Sequence, residues 1–93
     1  MSGPDVSVTA AAPGVYRVVV GQGQAIQEYR VTVPSSMIDD LGLPGTDEAT
    51  LVHESFAFLL EREPATSILT SFDLTVIGKY FPEYDREIRR RLE

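Results

Sequence analysis

Between Asp47 and Arg62 the apolar residues return every three or four positions, the spacing of one face of an α-helix. Ala49, Val52, Phe56, Leu59 and Leu60 form the stripe, and Leu51 and Phe58 widen it. Asp47, Glu54 and Glu61 recur on the solvent side. Thr46 is a good N-cap, with Asp47 and Glu48 in the first turn, where the helix dipole favours negative charge. Pro64 disfavours helical geometry at Glu63 and marks the end. The apolar face is wider than one neighbouring layer covers, so this long helix needs packing partners on two sides.

The first third of the chain supplies one of them. "DVSVTA" alternates Val6 and Val8 with polar residues, and Pro13-Gly14 gives a turn. "GVYRVVV" and "AIQEYRVTV" are rich in β-branched and aromatic residues. Between them "GQGQ" reads as a hairpin loop, because Gly21 and Gly23 tolerate positive φ. In the third run Tyr29, Val31 and Val33 share one face, while Glu28, Arg30 and Thr32 share the other. This pattern predicts a two- or three-stranded antiparallel β-meander packed on the helix.

The rest reads as helical. Pro34 ends the sheet, and Ser35 or Ser36 can cap a short helix covering Met37, Ile38 and Leu41, with Gly42 placed to stop it. Past Pro64, "TSILTSF" suggests one or two turns, and Asp73 can cap "LTVIGKYF". Pro82 terminates that helix and sits at the first-turn position of the next, where Tyr84, Ile88 and Leu92 fall four apart. No internal repeat or composition shift divides the chain. The expectation is a single α+β domain over residues 1–93, with the β-meander over 5–33 and the helical part, including short C-terminal helices, over 35–92.

Composition narrows the function. With 43% hydrophobic and 24% charged residues the chain is globular, not disordered. It has no cysteine, so disulfides and thiolate chemistry are excluded. "MSGPDVSVTA" lacks the basic start and apolar stretch of a secretory signal, and no apolar run reaches the roughly eighteen residues a membrane span needs. A soluble cytoplasmic protein with no membrane partner is expected. The formal net charge is −6, and it lies in residues 1–82, since the last eleven residues carry four charges of each sign. An acidic body repels phosphate at long range, which disfavours nucleic acid as a partner.

The residues with chemical potential do not converge. His53 is the only histidine, and without cysteine it cannot be half of a zinc site. Ser55 lies two positions from it on the helix, where side chains do not face each other, so no Ser-His-acid arrangement forms. Asp39-Asp40 is followed by Leu41-Gly42 where a calcium loop needs oxygen ligands. Gly21-Gln22-Gly23 joins strand to strand, whereas a phosphate cradle opens a helix. No catalytic, cofactor-binding or metal-binding residue is assigned, and no enzymatic activity is expected. Arg86, Arg89, Arg90 and Arg91 are the one basic cluster, interleaved with Glu83, Asp85, Glu87 and Glu93 on a solvated last helix. Together with Tyr84 they are the candidate interaction surface, fitted to an acidic partner or RNA. The aromatic string Phe72, Tyr80, Phe81 and Tyr84 reads as core packing, and any ring of it left exposed would mark an interaction surface instead.

Three resemblances accompany this reading. Val31-Thr32-Val33-Pro34 followed by Leu41-Gly42-Leu43, Gly45 and Asp47 resembles the swapped-hairpin DNA-binding domains of the AbrB type. Those continue as a strand after the aspartate, where this chain has a helical period. "RVTVP", "SSMIDDLGL", "PGTDEA" and "TLVHESFAFLLERE" resemble the ribbon-helix-helix regulators common among antitoxins. That resemblance implies a dimer whose Tyr29–Val33 strands pair with each other and enter the major groove of DNA. "FAFLLEREPATSIL" with "FDLTVIGKYFPEY" resembles a set of small uncharacterised bacterial α+β proteins, which implies a shared fold and no known activity. The sequence therefore leads to a small non-enzymatic interaction or regulatory module with an unidentified protein partner, a homodimer included. A ribbon-helix-helix DNA-binding regulator is the alternative.

Overall fold

The structure, a computed structural model, describes residues 5–22 and 24–92. Three strands follow in order, β1 (Asp5–Ala12), β2 (Val15–Gln22) and β3 (Ala25–Thr32), each antiparallel to its neighbour. Gly14 has φ 72°, which an L side chain rarely adopts, and it turns β1 into β2. In the β2–β3 hairpin Gln22 pairs with Ala25, while Gly23 lies outside the described residues, as do residues 1–4.

The register aligns Val8, Val18 and Tyr29 across the sheet, with Val6 beside Val20 and Tyr16 beside Val31. Directly paired residues share a face, so these side chains turn together toward the helices, and Val18, Val20, Tyr29 and Val31 are buried. Arg17, Glu28, Arg30 and Thr32 lie on the opposite, open face, where Arg17 and Glu28 form an ion pair. The one-in, one-out reading of Tyr29 to Val33 matches the burial residue by residue.

Pro34 leads into α1 (Met37–Asp40), a single turn stopped by Gly42 at φ 74°. Ser36 occupies the N-cap position without a side-chain hydrogen bond, so this turn is held by burial of Met37, Leu41 and Leu43 instead. The fifteen-residue α2 (Glu48–Arg62) begins one residue later than the sequence suggests. Asp47, not Thr46, is its N-cap, with extended backbone and a carboxylate accepting from the Thr50 amide at 3.2 Å. Glu63 is extended ahead of Pro64, as the proline requires.

Past Pro64 the expected helical turns give way to something else. Ala65–Ser67 make a 3₁₀ turn, and Ser71–Asp73 form a fourth strand, β4, parallel to β3. The expected antiparallel meander is present as β1–β2–β3, but β4 extends it into a four-stranded mixed sheet in the order β1-β2-β3-β4. Its cause is a parallel pairing between segments far apart in sequence, with α2 as the crossover. The Arg30 amide donates to the Thr70 carbonyl at 2.8 Å and the Leu74 amide to that of Thr32 at 3.0 Å. The chain closes with α3 (Thr75–Tyr80) and α4 (Tyr84–Leu92), so Pro82 precedes the last helix by two residues. The α+β class holds, and among the described residues no helix is long and apolar enough to cross a membrane.

Both sides of α2 are covered within the chain. Phe56 turns to the sheet, its ring centroid 5.1 Å from that of Tyr29 and 5.9 Å from that of Phe72. Phe58 turns to the C-terminal helices, edge-on to Phe81 and Tyr84. Leu51, Val52, Phe56 and Phe58 are fully buried. The width of the apolar face is therefore explained by two layers of this one chain.

Candidate functional site

The arginine cluster on α4 divides when placed in the fold. Arg91 Nη2 donates to Glu61 Oε1 of α2 at 2.6 Å, and this hydrogen bond holds the Glu61 carboxyl below its ordinary range. The return contact runs from Arg62 Nε of α2 to Glu83 Oε2 at 3.2 Å. Arg62 also lays its guanidinium 3.7 Å from the centre of the Phe58 ring. Arg91 is thus a fastener between helices. Arg86, Arg89 and Arg90 are exposed, and Arg90 approaches Glu87 at 3.8 Å.

Tyr84, the fifth candidate, is 1% exposed and cannot be part of an interaction surface. Its hydroxyl meets Ser55 Oγ at 2.7 Å inside the α2–α4 contact. Ser55 Oγ donates its one proton to the Leu51 carbonyl at 2.7 Å, so the Tyr84 hydroxyl is the donor to Ser55. Burial pushes the Tyr84 phenol up to about 12, and the charge of Asp85 adds to the rise. Ser55 and Tyr84 form a satisfied polar pair within the core.

His53 lies on the open side of α2, its side chain half exposed and 3.6 Å from Glu54 Oε2. Among the described residues no group of three or more His, Asp or Glu side chains is placed to hold a metal ion.

The aromatic string gives the more informative result. Phe72, Phe81 and Tyr84 pack inward to different degrees, but Tyr80 is 69% exposed. It stands at the rim of a groove of about 410 Å³ formed where the end of α2, the 3₁₀ turn, β4 and α3 meet. Leu59, Ile68 and Ile77 belong both to the core and to the groove lining, with Phe72 half-buried beside them. Leu69 is the second exposed apolar residue on the rim, at 53%. Glu63 is the one charged side chain in the lining, and none of the described ion pairs uses it.

Several local features fix this groove. Pro64 turns the chain off α2 into the 3₁₀ turn, where the Ser67 amide donates to the Pro64 carbonyl at 2.9 Å. The buried Tyr29 hydroxyl donates to the Ala65 carbonyl, tying the turn to the sheet, and burial raises the Tyr29 pKa. Asp73 Oδ1 then accepts from the Thr75 amide at 2.9 Å and the Thr75 hydroxyl at 2.7 Å, which starts α3. Leu74, not Asp73, holds the N-cap position, and Asp73 bonds the first residue of α3 from the end of β4.

None of the five candidate residues on α4 lines the groove. Leu69 escaped notice because its segment reads as a helical turn. Only Phe72-Asp73-Leu74 alternates, and with exposed Thr70 and Ser71 ahead of it the segment carries too short a period to mark a strand. Compared with known proteins, the chain matches no family model, no curated protein and no solved structure.

Proposed function

We propose that the protein is a small non-enzymatic interaction module, acting in the cytoplasm, that receives an apolar side chain of a partner protein in the groove between α2, β4 and α3. The supporting observation is the joint exposure of Leu69 and Tyr80 at the mouth of an apolar groove. Keeping two large apolar side chains in water has a cost that a docked partner removes. The charge of the site points to the partner's chemistry. Glu63 is the sole lining charge and the chain carries −6, so the reading takes a segment with a bulky apolar anchor beside a Lys or Arg. This reverses the acidic partner suggested by the arginine cluster.

The ribbon-helix-helix alternative needs Tyr29–Val33 to pair with its twin in a second chain. In this fold β3 is flanked by β2 on one side and, across Arg30–Thr32, by β4 on the other. That internal pairing favours the interaction reading over DNA binding.

Selection from a displayed random-peptide library tests the proposal, with wild type and a Leu69→Glu/Tyr80→Glu variant as baits. Enriched peptides should carry a large apolar residue next to a basic one, bind wild type and lose the variant, whose exposed substitutions leave the unfolding midpoint unchanged. Peptides that bind both baits equally, or no enrichment on wild type, would overturn it.

A further inference from the structure

We propose that two copies of this chain associate edge to edge through β1, making one continuous sheet across a two-fold axis. This goes beyond the groove and does not depend on it. The sheet has two edges. One is β4, only three residues long, but the other is β1, with eight. An edge strand presents a row of unpaired amides and carbonyls, and proteins usually blunt it with lysine, proline, a bulge or a covering segment. From Asp5 to Ala10 the strand carries no lysine, proline or bulge, although α2 packs close to it. Asp5 is its one charge, and the irregularity in pairing comes only between Ala10 and Ala12. Among the described residues no backbone hydrogen bond reaches β1 from outside the sheet.

Burial points the same way. On the face that packs against the helices, Val18 and Val20 are 0% and 1% exposed, whereas their partners on β1, Val8 and Val6, are only half-buried. A strand added beyond β1 would complete their cover. The sequence of β1 is self-complementary in the register that sets Ser7 opposite its twin. Antiparallel pairing about that point puts Val6 against the second copy's Val8 on the core side and Asp5 against Thr9 on the open side. No like charges meet. The surface is small, so the association is weak, and the −6 charge on each copy opposes it until salt screens the repulsion.

Sedimentation equilibrium over roughly 5–500 µM, the range suited to an interface of this size, tests the proposal at low and moderate salt. Wild type should show a monomer–dimer equilibrium that tightens with added salt. Ser7→Lys and Ser7→Glu each place like charges across the axis on an exposed position and should weaken the dimer by at least about fivefold, while an equimolar mixture of the two should restore it. Thermal unfolding of each variant at dilute concentration, unchanged from wild type, shows that the fold is intact. A wild type that stays monomeric throughout, or single variants that dimerise as wild type does, would sink the idea. So would a dimer that the mixture does not rescue, which places the contact elsewhere.

Discussion

Replacing Tyr84 by Phe removes one hydroxyl from the α2–α4 contact and leaves the ring in place against Phe58. At neutral pH the loss is that of one buried hydrogen bond. Ser55 Oγ still donates to the Leu51 carbonyl, so no donor is stranded, and the expected destabilisation is about 1 kcal/mol. The pH dependence is the sharper test. A tyrosine is neutral when protonated, and burial raises the folded pKa from 10.0 to about 12. The stabilisation from that rise is fully present below pH 10 and is lost as pH climbs through the folded value. Roughly 1.4 kcal/mol of it should be gone by pH 11, and Tyr84→Phe has none to lose. Tyr16 and Tyr29 also titrate high, but they are common to both proteins and cancel in the comparison.

The gap between wild type and Tyr84→Phe should therefore close between pH 8 and pH 11, and at the upper end the variant should equal or exceed wild type. Urea unfolding followed by circular dichroism measures it at each pH. Ser55→Ala supplies the other arm of a double-mutant cycle. It strands the Tyr84 hydroxyl without an acceptor and should cost about 1–3 kcal/mol, most of which adding Tyr84→Phe recovers. A gap that stays constant from pH 8 to pH 11 would refute the buried phenol. Additive single-variant effects would refute the hydrogen bond.

Two further stability effects follow from the packing. Arg62→Ala should cost about 1–2 kcal/mol, because Arg62 covers the Phe58 ring as well as pairing with Glu83, and a large part should survive in high salt. Gly14→Ala should destabilise more than Gly45→Ala in urea unfolding. Both have positive φ and lose about 1 kcal/mol to backbone strain, but only at Gly14 would the new Cβ come within 3.2 Å of the Val33 carbonyl oxygen.

What the sequence made legible was local and periodic. The alternation over Tyr29–Val33 and the helical stripe over Val52–Leu59 each describe one element against water, and both faces fall where the spacing puts them. The turns at Pro13-Gly14 and Gly42 were legible because positive φ is nearly a property of glycine alone. β4 was hidden because three residues carry too little period to be told from a turn, and its partner lies some forty positions upstream. Tyr84 was misplaced for a related reason. Its stripe with Ile88 correctly marked the inward side of α4, but its company of arginines suggested a surface. The arginines project around it while its hydroxyl finds Ser55, which no spacing rule connects to it.

The unread segment is also the one that builds the groove. β4 is clamped at both ends to β3, through Thr70 and Leu74, and Asp73 locks the first turn of α3. Leu69 stands immediately before that clamp and Tyr80 at the end of the helix that follows it. A frame held this way lets two apolar side chains stay in water without collapsing onto the core. Under the proposed function, a partner would meet a surface already arranged, with little backbone to order on binding. The exposed arginines of α4 have no such frame. Their long side chains extend into solvent, where ordering them offsets most of what a surface ion pair contributes. Joint exposure of two large apolar side chains beside a groove is the rarer condition in a small domain, and for that reason the proposed partner site is the groove and not the arginine cluster.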